Sequence, residues 1–424
     1  MPFGEATPSV EGRVHPMLRF RGVILAALFM LPAVVMRLSG MHAEPLVSLA
    51  IFGSAVVASS FLLAWAAEAA QMDISGGLAI AVLAFIAVLP EYAVDLYFAY
   101  TAGSDSTYTA YAAANMTGSN RLLMGVGWPF VVLLGLMVAR REGNPMKALP
   151  VENGTRVELG FLLFAGIIAF IAPATAVISM PLAIVLLAWF GYYLYRVTRQ
   201  EVEEPHLIGT AASIGALAPR VRRIMVTSMF LAAAVVILLS AKPFAESLVQ
   251  SGQTLGIDEF LLVQWLAPLA SEAPEFIVAI IFALRGNAQD GIATLISSKV
   301  NQWTLLVGSI PIAYWVGGGG AAGIPLDSRQ VEEMLLTATQ TLMGVAILLA
   351  LRFPRWGAWA LLALFAVQFA VTGTGGRLTL CVIYAVIALV MFVINRRHIL
   401  PTLRAPFVGV DEASQTPLTP LAHS

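Results

Sequence analysis

Apolar residues along this chain are grouped into long segments that alternate with short polar stretches. A helix needs about 20 apolar residues to cross roughly 30 Å of hydrocarbon, and most of the segments are that long. They fall at about 23–36, 45–70, 75–101, 107–139, 158–177, 178–198, 222–250, 257–285, 288–318, 333–351, 356–373 and 378–395. The pattern predicts an all-α polytopic membrane protein with about twelve transmembrane helices.

Composition supports the membrane class and removes several others. Only 12% of residues are charged, against about 25% in soluble domains. The 24 basic and 25 acidic residues nearly cancel, so no basic surface for nucleic acid is expected. Cys381 is the single cysteine and cannot form an intramolecular disulfide, and the five histidines fall in predicted tails or loops. The sequence therefore predicts neither a histidine metal centre nor a cofactor.

The distribution of Lys and Arg predicts the orientation. With the N-terminus in the cytoplasm, cytoplasmic segments collect eighteen of the 24 basic residues and the opposite side collects four, as the positive-inside rule requires. This predicts a bacterial inner-membrane protein with both termini cytoplasmic. The Val23–Met36 segment could be a signal-peptide core, but we favour a retained helix because a polytopic protein needs no cleaved signal.

One stretch of the chain occurs twice. Pro90-Glu91 and Pro274-Glu275 each lie deep in an apolar segment, and the next segment carries a polar run, 115–120 or 297–299. On the predicted topology the two Pro-Glu helices run in opposite directions across the membrane, an arrangement typical of secondary transporters. We predict two inverted five-helix repeats plus one extra helix at each end. The expected divisions are 1–44 (tail and extra helix), 45–198 (first repeat), 199–221 (cytoplasmic loop), 222–375 (second repeat) and 376–424 (last helix and tail).

These residues resemble the calcium/cation antiporters, which share the sodium/calcium exchanger membrane region and carry a Pro-Glu followed by a Gly-Asn-x-x-Gly-Ser-Asn-like run in each repeat. The first copy has Asn115-Met116-Thr117-Gly118-Ser119-Asn120, whereas the second is reduced to Ser297-Ser298-Lys299. The resemblance implies exchange of Ca²⁺ or a similar cation against Na⁺ or H⁺ by alternating access. It also implies that Ser119, Asn120 and Ser298 are ion ligands.

The chemistry of the repeats points to a cation site. An ionised carboxylate at the bilayer centre is costly, so Glu91 and Glu275 are the candidate metal ligands, and a structural charge pair is the alternative. Carboxylate, amide and hydroxyl oxygens bind hard cations such as Ca²⁺, which adds Asn115 and Ser271 as candidates. Proline removes a helical hydrogen bond four residues earlier, so Pro90 and Pro274 are expected to interrupt their helices and free the carbonyls of Ile86 and Ala270.

Three further charges belong to the predicted ion pathway. Asp95 and Glu272 share a helical face with Glu91 and Glu275 respectively, although Asp95 could instead contact water at the outer mouth. The resembling family has a Thr-Ser pair before each Glu, where this chain has Ala87-Val88 and Ser271-Glu272. Lys299 falls where the motif has Asn. Our hypothesis is that Lys299 is an internal cation paired with Glu272 or Glu275, and an inert structural ion pair is the alternative.

Other functions stay open from the sequence alone. If Glu91, Asp95, Glu272 and Glu275 share a cavity with Arg121 and Lys299, the formal charge of minus two fits one Ca²⁺, two Na⁺ or two protons equally. A Na⁺/H⁺ antiporter with Lys299 as internal cation, or a non-transporting scaffold, are the alternatives. An intramembrane enzyme is disfavoured because no His-Glu-x-x-His or Gly-x-Ser-Gly motif is present. The expected partners are inorganic cations and the lipid bilayer, and the sequence does not indicate protein partners.

Overall fold

The computed structural model describes residues 20–73, 89–199, 207, 209–371 and 373–408. Over these ranges the chain is almost entirely helical, and four three-residue strands are the exception to an all-α fold. The helices are α1 (Arg21–Ser39), α2 (Pro45–Ala70), α3 (Leu89–Ala102), α4 (Tyr108–Leu122), α5 (Trp128–Arg141), α6 (Thr155–Ile168), α7 (Ile171–Thr175), α8 (Met180–Val197), α9 (Gly209–Gly215), α10 (Pro219–Leu255), α11 (Glu259–Leu284), α12 (Ala288–Asn301), α13 (Val307–Val316), α14 (Ser328–Leu348), α15 (Arg355–Ala370), α16 (Thr374–Ile394) and α17 (Arg396–Arg404). The strands are β1 (Ala148–Pro150), β2 (Val177–Ser179), β3 (Gly323–Pro325) and β4 (Arg352–Pro354).

The helices follow the apolar segments. Within the described ranges, nine helices are long and apolar enough to cross a membrane, counting α4 with α5 and α6 with α7 as single spans. The chain is an integral membrane protein. The segment predicted at 75–101 is described only from Leu89 onward, so the total of twelve stays a prediction, as does retention of the first helix, α1.

The predicted polar loop at 199–221 differs from the structure. The short helix α9 lies within it, and Ala211 and Ile214 of this helix are buried. The following helix α10 begins already at Pro219, because proline is favoured at the first position of a helix. The loop is therefore shorter than its polar composition predicts.

The short strands join the two halves of the chain. β1 pairs antiparallel with β4, with Leu149 opposite Phe353, and β2 pairs antiparallel with β3, with Ile178 opposite Ile324. β1 and β3 each precede the fourth span of their half, and β2 and β4 each precede the fifth. The strand that precedes the fourth span of one half thus pairs with the strand that precedes the fifth span of the other half. A two-fold relation between the halves produces this reciprocal pairing.

A second feature repeats in the third span of each half. A single π-helical turn, Leu123–Gly127 in the first half and Gln302–Leu306 in the second, follows the polar run. Each turn begins three residues after Asn120 or Lys299. The positions of the turns therefore align Asn120 with Lys299, and Ser119 with Ser298, independently of the similarity between the two polar runs. Such π-turns often mark functional positions in helices.

The predicted interruption at Pro274 is wrong. Pro268 and Pro274 both lie inside α11, which continues through them. Membrane helices tolerate proline where neighbouring helices and polar side chains support the backbone, and α11 packs against α4 and α12. Over the described ranges the irregular turns of both halves lie in the third spans instead. Ile86, Ala87 and Val88 fall outside the described residues.

An ion-pair cluster also connects the halves near the ends of α2 and α10. Asp73 Oδ2 accepts a hydrogen bond from Arg222 Nε at 2.6 Å, and its other oxygen accepts from Arg223 Nε at 3.0 Å. The hydrogen bond from Arg222 is the main reason that the pKa of Asp73 is lowered to about 2. The carboxylate therefore stays ionised at any physiological pH.

Candidate ion site

The acids of the two Pro-Glu pairs come into electrostatic range of each other across the two halves. Glu91, at the beginning of α3, is 4% exposed, and Glu275 on α11 is partly buried. Ser119 from α4 and Gln302 from the second π-turn lie beside the Glu91 carboxylate. Ser298 Oγ donates a hydrogen bond to Glu275 Oε2 at 2.6 Å. Two carboxylates from inverted halves thus interact electrostatically, each with a hydroxyl from a polar run next to it.

Asp95 lies one helical turn beyond Glu91 and is completely buried. Neither of its carboxylate oxygens has a hydrogen-bond partner among the described residues, and Asn115 of α4 is a polar neighbour. This burial contradicts the alternative in which Asp95 contacts water at the outer mouth. Asn115 Oδ1 also lacks a partner within the described part of the chain. Asp95 and Asn115 together supply three unsatisfied acceptor oxygens.

Glu272 adds a carboxylate from the second half. Its side chain is buried, and its Oε1 accepts a hydrogen bond from Gln302 Nε2 at 3.0 Å. Its other oxygen has no partner among the residues that the structure describes, and it lies in electrostatic range of Glu91 and Glu275. Glu272 is therefore part of the same acidic group rather than of a separate ion pair.

Lys299 is completely buried and bridges the two polar runs. Its Nζ donates to Asn120 Oδ1 at 2.7 Å and to the Asn120 carbonyl oxygen at 3.0 Å, and it lies 4.8 Å from the centre of the Trp303 ring. The predicted ion pair with Glu272 or Glu275 does not form within the described residues. Glu275 accepts from Ser298, and one oxygen of Glu272 accepts from Gln302. The ammonium is hydrogen-bonded to Asn120 of the opposite half and stays in electrostatic range of Glu272 without forming an ion pair.

The orientation of Asn120 explains why it can accept from Lys299. Asn120 Nδ2 donates to the Met116 carbonyl at 2.9 Å, which leaves Oδ1 facing away from its own helix. The Ser119 hydroxyl likewise donates to Met116 O, at 3.2 Å, so its lone pairs remain available. Both residues are fully buried. The first polar run therefore presents acceptor oxygens, which is the property that a cation ligand needs.

The predicted ligand Ser271 makes only local hydrogen bonds. Its hydroxyl donates to the carbonyls of Ala267 and Pro268 on its own helix, at 3.2 and 3.3 Å. The hydroxyl proton is thus directed along α11, and the structure places no group of the opposite half against it by a hydrogen bond. Within the described residues, the hydrogen bonds of Ser271 are therefore confined to its own helix.

Arg121 does not belong to the acidic group. Its guanidinium forms an ion pair with Glu333 of α14 (Nη2 to Oε2, 2.5 Å), donates to Gln368 Oε1 at 3.1 Å and lies over the Trp265 ring. Gln264 of α11 donates to the same Glu333 oxygen at 3.2 Å. Removing one partner of such a buried pair costs about 3–5 kcal/mol. A cleft of about 580 Å³ opens beside this pair, and neither Glu91 nor Glu275 lines it.

Sequence reasoning missed Glu333 because the acid is the first residue of the predicted segment at 333–351, where it gives no sign of lying at membrane depth. An available signal was that Arg121 needs a buried counter-charge if it lies at membrane depth. With Arg121 neutralised by Glu333, the site keeps four carboxylates and one ammonium. The earlier sum of minus two therefore omits one negative charge.

Gly118 lets the two halves approach closely. A Cβ at this position would overlap the backbone carbonyl of Gln264 on α11. Only glycine allows α4 and α11 to cross with their backbones in contact. This close crossing brings the first polar run against the second half, where Asn120 accepts from Lys299.

The arrangement suits a hard cation held by mixed oxygens. Within the described ranges no three His, Cys, Asp or Glu side chains are grouped tightly enough to hold a metal ion by themselves. Ca²⁺ takes six to eight oxygen ligands, including amides, carbonyls and water. Carboxylates of both halves with Asn and Ser oxygens between them provide that chemistry, and the shared excess of negative charge favours cations or protons.

Known proteins resemble this chain in sequence and in fold. The family model for the sodium/calcium exchanger protein matches residues 44–199 and 225–373. The crystal structure of the H⁺/Ca²⁺ exchanger CAX is 40% identical, with a TM-score of 0.86 over 94% of this chain and 98% of that one. The structure of native YfkE has the same fold at 16% identity, with a TM-score of 0.59 over 86% of this chain and 99% of that one. No curated protein sequence matches.

Proposed function

We propose that this chain, which belongs to the sodium/calcium exchanger protein family, is a cation antiporter that exchanges Ca²⁺ for protons. The observation that carries the proposal is the meeting of Glu91 and Glu275 from inverted halves, with unsatisfied oxygens of Asp95, Glu272 and Asn115 around them. Inverted repeats around a midplane site support alternating access, in which one half rocks against the other.

Charge balance supports the choice of exchanged ions. Ca²⁺ bound between Glu91 and Glu275 neutralises two carboxylates, and two protons on the same carboxylates do so equally. Exchange at one shared site therefore keeps the buried charge constant in both directions of the cycle. A site that binds either occupant, but not both together, couples the two fluxes.

Each predicted site residue receives a role on this basis. Glu91 and Glu275 bind the ion directly, and Ser119, Asn115 and Ser298 supply neutral oxygens, whereas the oxygens of Asn120 are held by Lys299. Asp95 and Glu272 attract cations into the buried region. Ser271 has the weakest support as a ligand, because its hydroxyl is directed to carbonyls of its own helix.

Protons are preferred over Na⁺ as the counter-ion for two reasons. The 40% identical relative is described as an H⁺/Ca²⁺ exchanger. In addition, the ammonium of Lys299 occupies the oxygens of Asn120, where the resembling family uses asparagine to bind ions. We infer that Lys299 acts as a fixed internal cation that reduces the number of ions bound per cycle.

Orientation follows from the charge distribution. Loops with many Lys and Arg residues remain in the cytoplasm, so we propose a bacterial inner-membrane protein with cytoplasmic termini. On this topology α6 and α10 begin on the cytoplasmic side, and α14 begins on the outer side.

Transport by the purified protein in lipid vesicles tests the proposal. Uptake of radiolabelled Ca²⁺ is measured under an imposed pH gradient, under an imposed Na⁺ gradient, and with neither. We expect the pH gradient alone to drive accumulation, because protons bound to the site carboxylates are exchanged for Ca²⁺. Accumulation driven by Na⁺ alone would assign a different counter-ion, and no Ca²⁺ movement under any gradient would contradict the proposed function.

A further inference from the structure

Glu158 forms a second acidic centre beside the ion site. Its Oε1 accepts a hydrogen bond from the hydroxyl of Tyr193 on α8 at 3.3 Å, and this hydroxyl lies 2.7 Å from Ser297 Oγ on α12. Because the Tyr193 hydroxyl carries one hydrogen, it accepts from Ser297 whenever it donates to the carboxylate. Ser297 directly precedes Ser298, which contacts Glu275. The Glu158–Tyr193–Ser297 triad therefore includes the first residue of the second polar run.

The two-fold relation of the halves gives Glu158 a counterpart. Glu158 lies eight residues past the end of β1, and Glu333 lies eight residues past the end of β3. Tyr193 lies as many residues past the end of β2 as Gln368 lies past the end of β4. In each half, an acid from the fourth span and a polar side chain from the fifth contact the third span of the other half. The two halves therefore place an acid and a polar side chain at matching positions, but the polar side chain is a tyrosine in one half and a glutamine in the other.

The two counterparts differ in their charge partners. Arg121 balances Glu333, whereas Glu158 forms no ion pair within the described residues. On its own helix, Arg156 donates to the Leu349 carbonyl and to Thr402. Among charged groups on helices packed against α6, Arg196 donates to Phe407 O, Lys299 to Asn120, and Glu333 is paired with Arg121. His398 of the adjacent α17 lies in electrostatic range of Arg156. Within the described residues, the hydrogen bonds to Glu158 come from the hydroxyl groups of Tyr193 and Ser297.

We propose that Glu158 is an auxiliary proton-binding residue that serves the ion site from the membrane side at which α6 begins. A carboxylate bound only by hydroxyls can exist as the ion or as the neutral acid without breaking an ion pair, which Glu333 cannot do. Tyr193 can accept a hydrogen bond from the acid as readily as it donates to the ion, because the hydroxyl rotates. This inference rests on the proposed proton exchange.

The proposed transfer moves one proton at a time. When Ca²⁺ enters the site from this side, a proton leaves a site carboxylate, crosses through water and binds one oxygen of Glu158, so that Glu158 becomes a neutral acid. The proton then passes to bulk water, and Glu158 is a carboxylate again. No bond other than O–H bonds forms or breaks, and the Ca²⁺ charge is offset by protons that leave. Glu158 contributes only to the proton branch of the cycle.

Comparing two transport modes of the full-length protein in vesicles tests this proposal. Exchange of radiolabelled Ca²⁺ for unlabelled Ca²⁺ at equal pH moves no net protons, whereas uptake under a pH gradient does. The variants are Glu158→Gln and Tyr193→Phe. Tyr192→Phe is the matched control, because the neighbouring Tyr192 hydroxyl donates to the carbonyl of Pro406 instead.

We expect both variants to lose pH-gradient-driven uptake and its pH dependence on one side of the membrane, while Ca²⁺/Ca²⁺ exchange and the Tyr192→Phe protein stay unchanged. A wild-type pH profile in Glu158→Gln would overturn the proposal, and so would an equal loss of both modes, which indicates a structural role. If Glu158→Gln does not fold, Tyr193→Phe decides by the same criteria. Absence of both modes from the wild type would instead contradict the proposed function itself.

Discussion

Glu275→Gln is expected to reduce Ca²⁺ uptake by the reconstituted protein nearly to background, and Glu91→Gln to do the same. Each change replaces one charged oxygen ligand with a neutral amide while keeping the side-chain volume. Interactions with charged groups are worth about 1.5–3 kcal/mol, so Ca²⁺ affinity should fall by about 10- to 150-fold. The measurement is the initial rate of radiolabelled Ca²⁺ uptake as a function of Ca²⁺ concentration.

Glu44→Gln provides the control, because Glu44 is exposed at the beginning of α2 and the chemical change is identical. This variant should transport as the wild type does. If Glu91→Gln and Glu275→Gln both retained wild-type uptake, neither carboxylate could be an ion ligand, and the site described above would have no role in transport.

Lys299→Asn is expected to make Ca²⁺ transport responsive to Na⁺. The substitution removes the ammonium from the Asn120 oxygens and restores the amide that the family motif has at this position. The vacated oxygens are then available to a monovalent cation. We expect the apparent affinity for Na⁺ to rise by at least about tenfold, equivalent to about 1.4 kcal/mol, in vesicles with Na⁺ gradients of increasing size.

Lys147→Asn is the corresponding control, since Lys147 is exposed in the loop before β1. An unchanged ion selectivity and pH dependence in folded Lys299→Asn would leave Lys299 as an inert structural cation. Loss of folding is a separate outcome that thermal unfolding detects directly. Lys299→Met, which keeps the length of the side chain without its charge, then separates packing from electrostatics.

The sequence contained most of the information on the fold. Apolar segment lengths and the bias of Lys and Arg gave helix positions that agree with α2, α4, α8, α11, α14 and α16, because membrane thickness and loop charge act on each segment separately. The short strands β1 to β4 could not be found in the same way. The pairing joins residues about 200 positions apart for β1 and β4 and about 150 apart for β2 and β3, and three-residue strands leave no periodic signal.

The individual partners in the site were harder to predict than its location. Carboxylates at membrane depth indicated where the site lies, since burial of charge is costly wherever it occurs. Which group each one contacts depends on helix rotation and crossing, and spacing does not fix these. Lys299 therefore bonds to Asn120 rather than to Glu272 or Glu275, and Arg121 pairs with Glu333 outside the acidic group.

Proton release on Ca²⁺ binding tests most directly whether one shared carboxylate site takes either ion. Calorimetric titration of Ca²⁺ into the purified protein, repeated in buffers of different ionisation enthalpy, measures the protons that binding displaces. The account predicts a heat that depends on the buffer for the wild type, and loss of both Ca²⁺ binding and proton release when Glu91 and Glu275 are changed together to Gln. Ca²⁺ binding with a heat independent of the buffer, or binding that survives the double substitution, would contradict it.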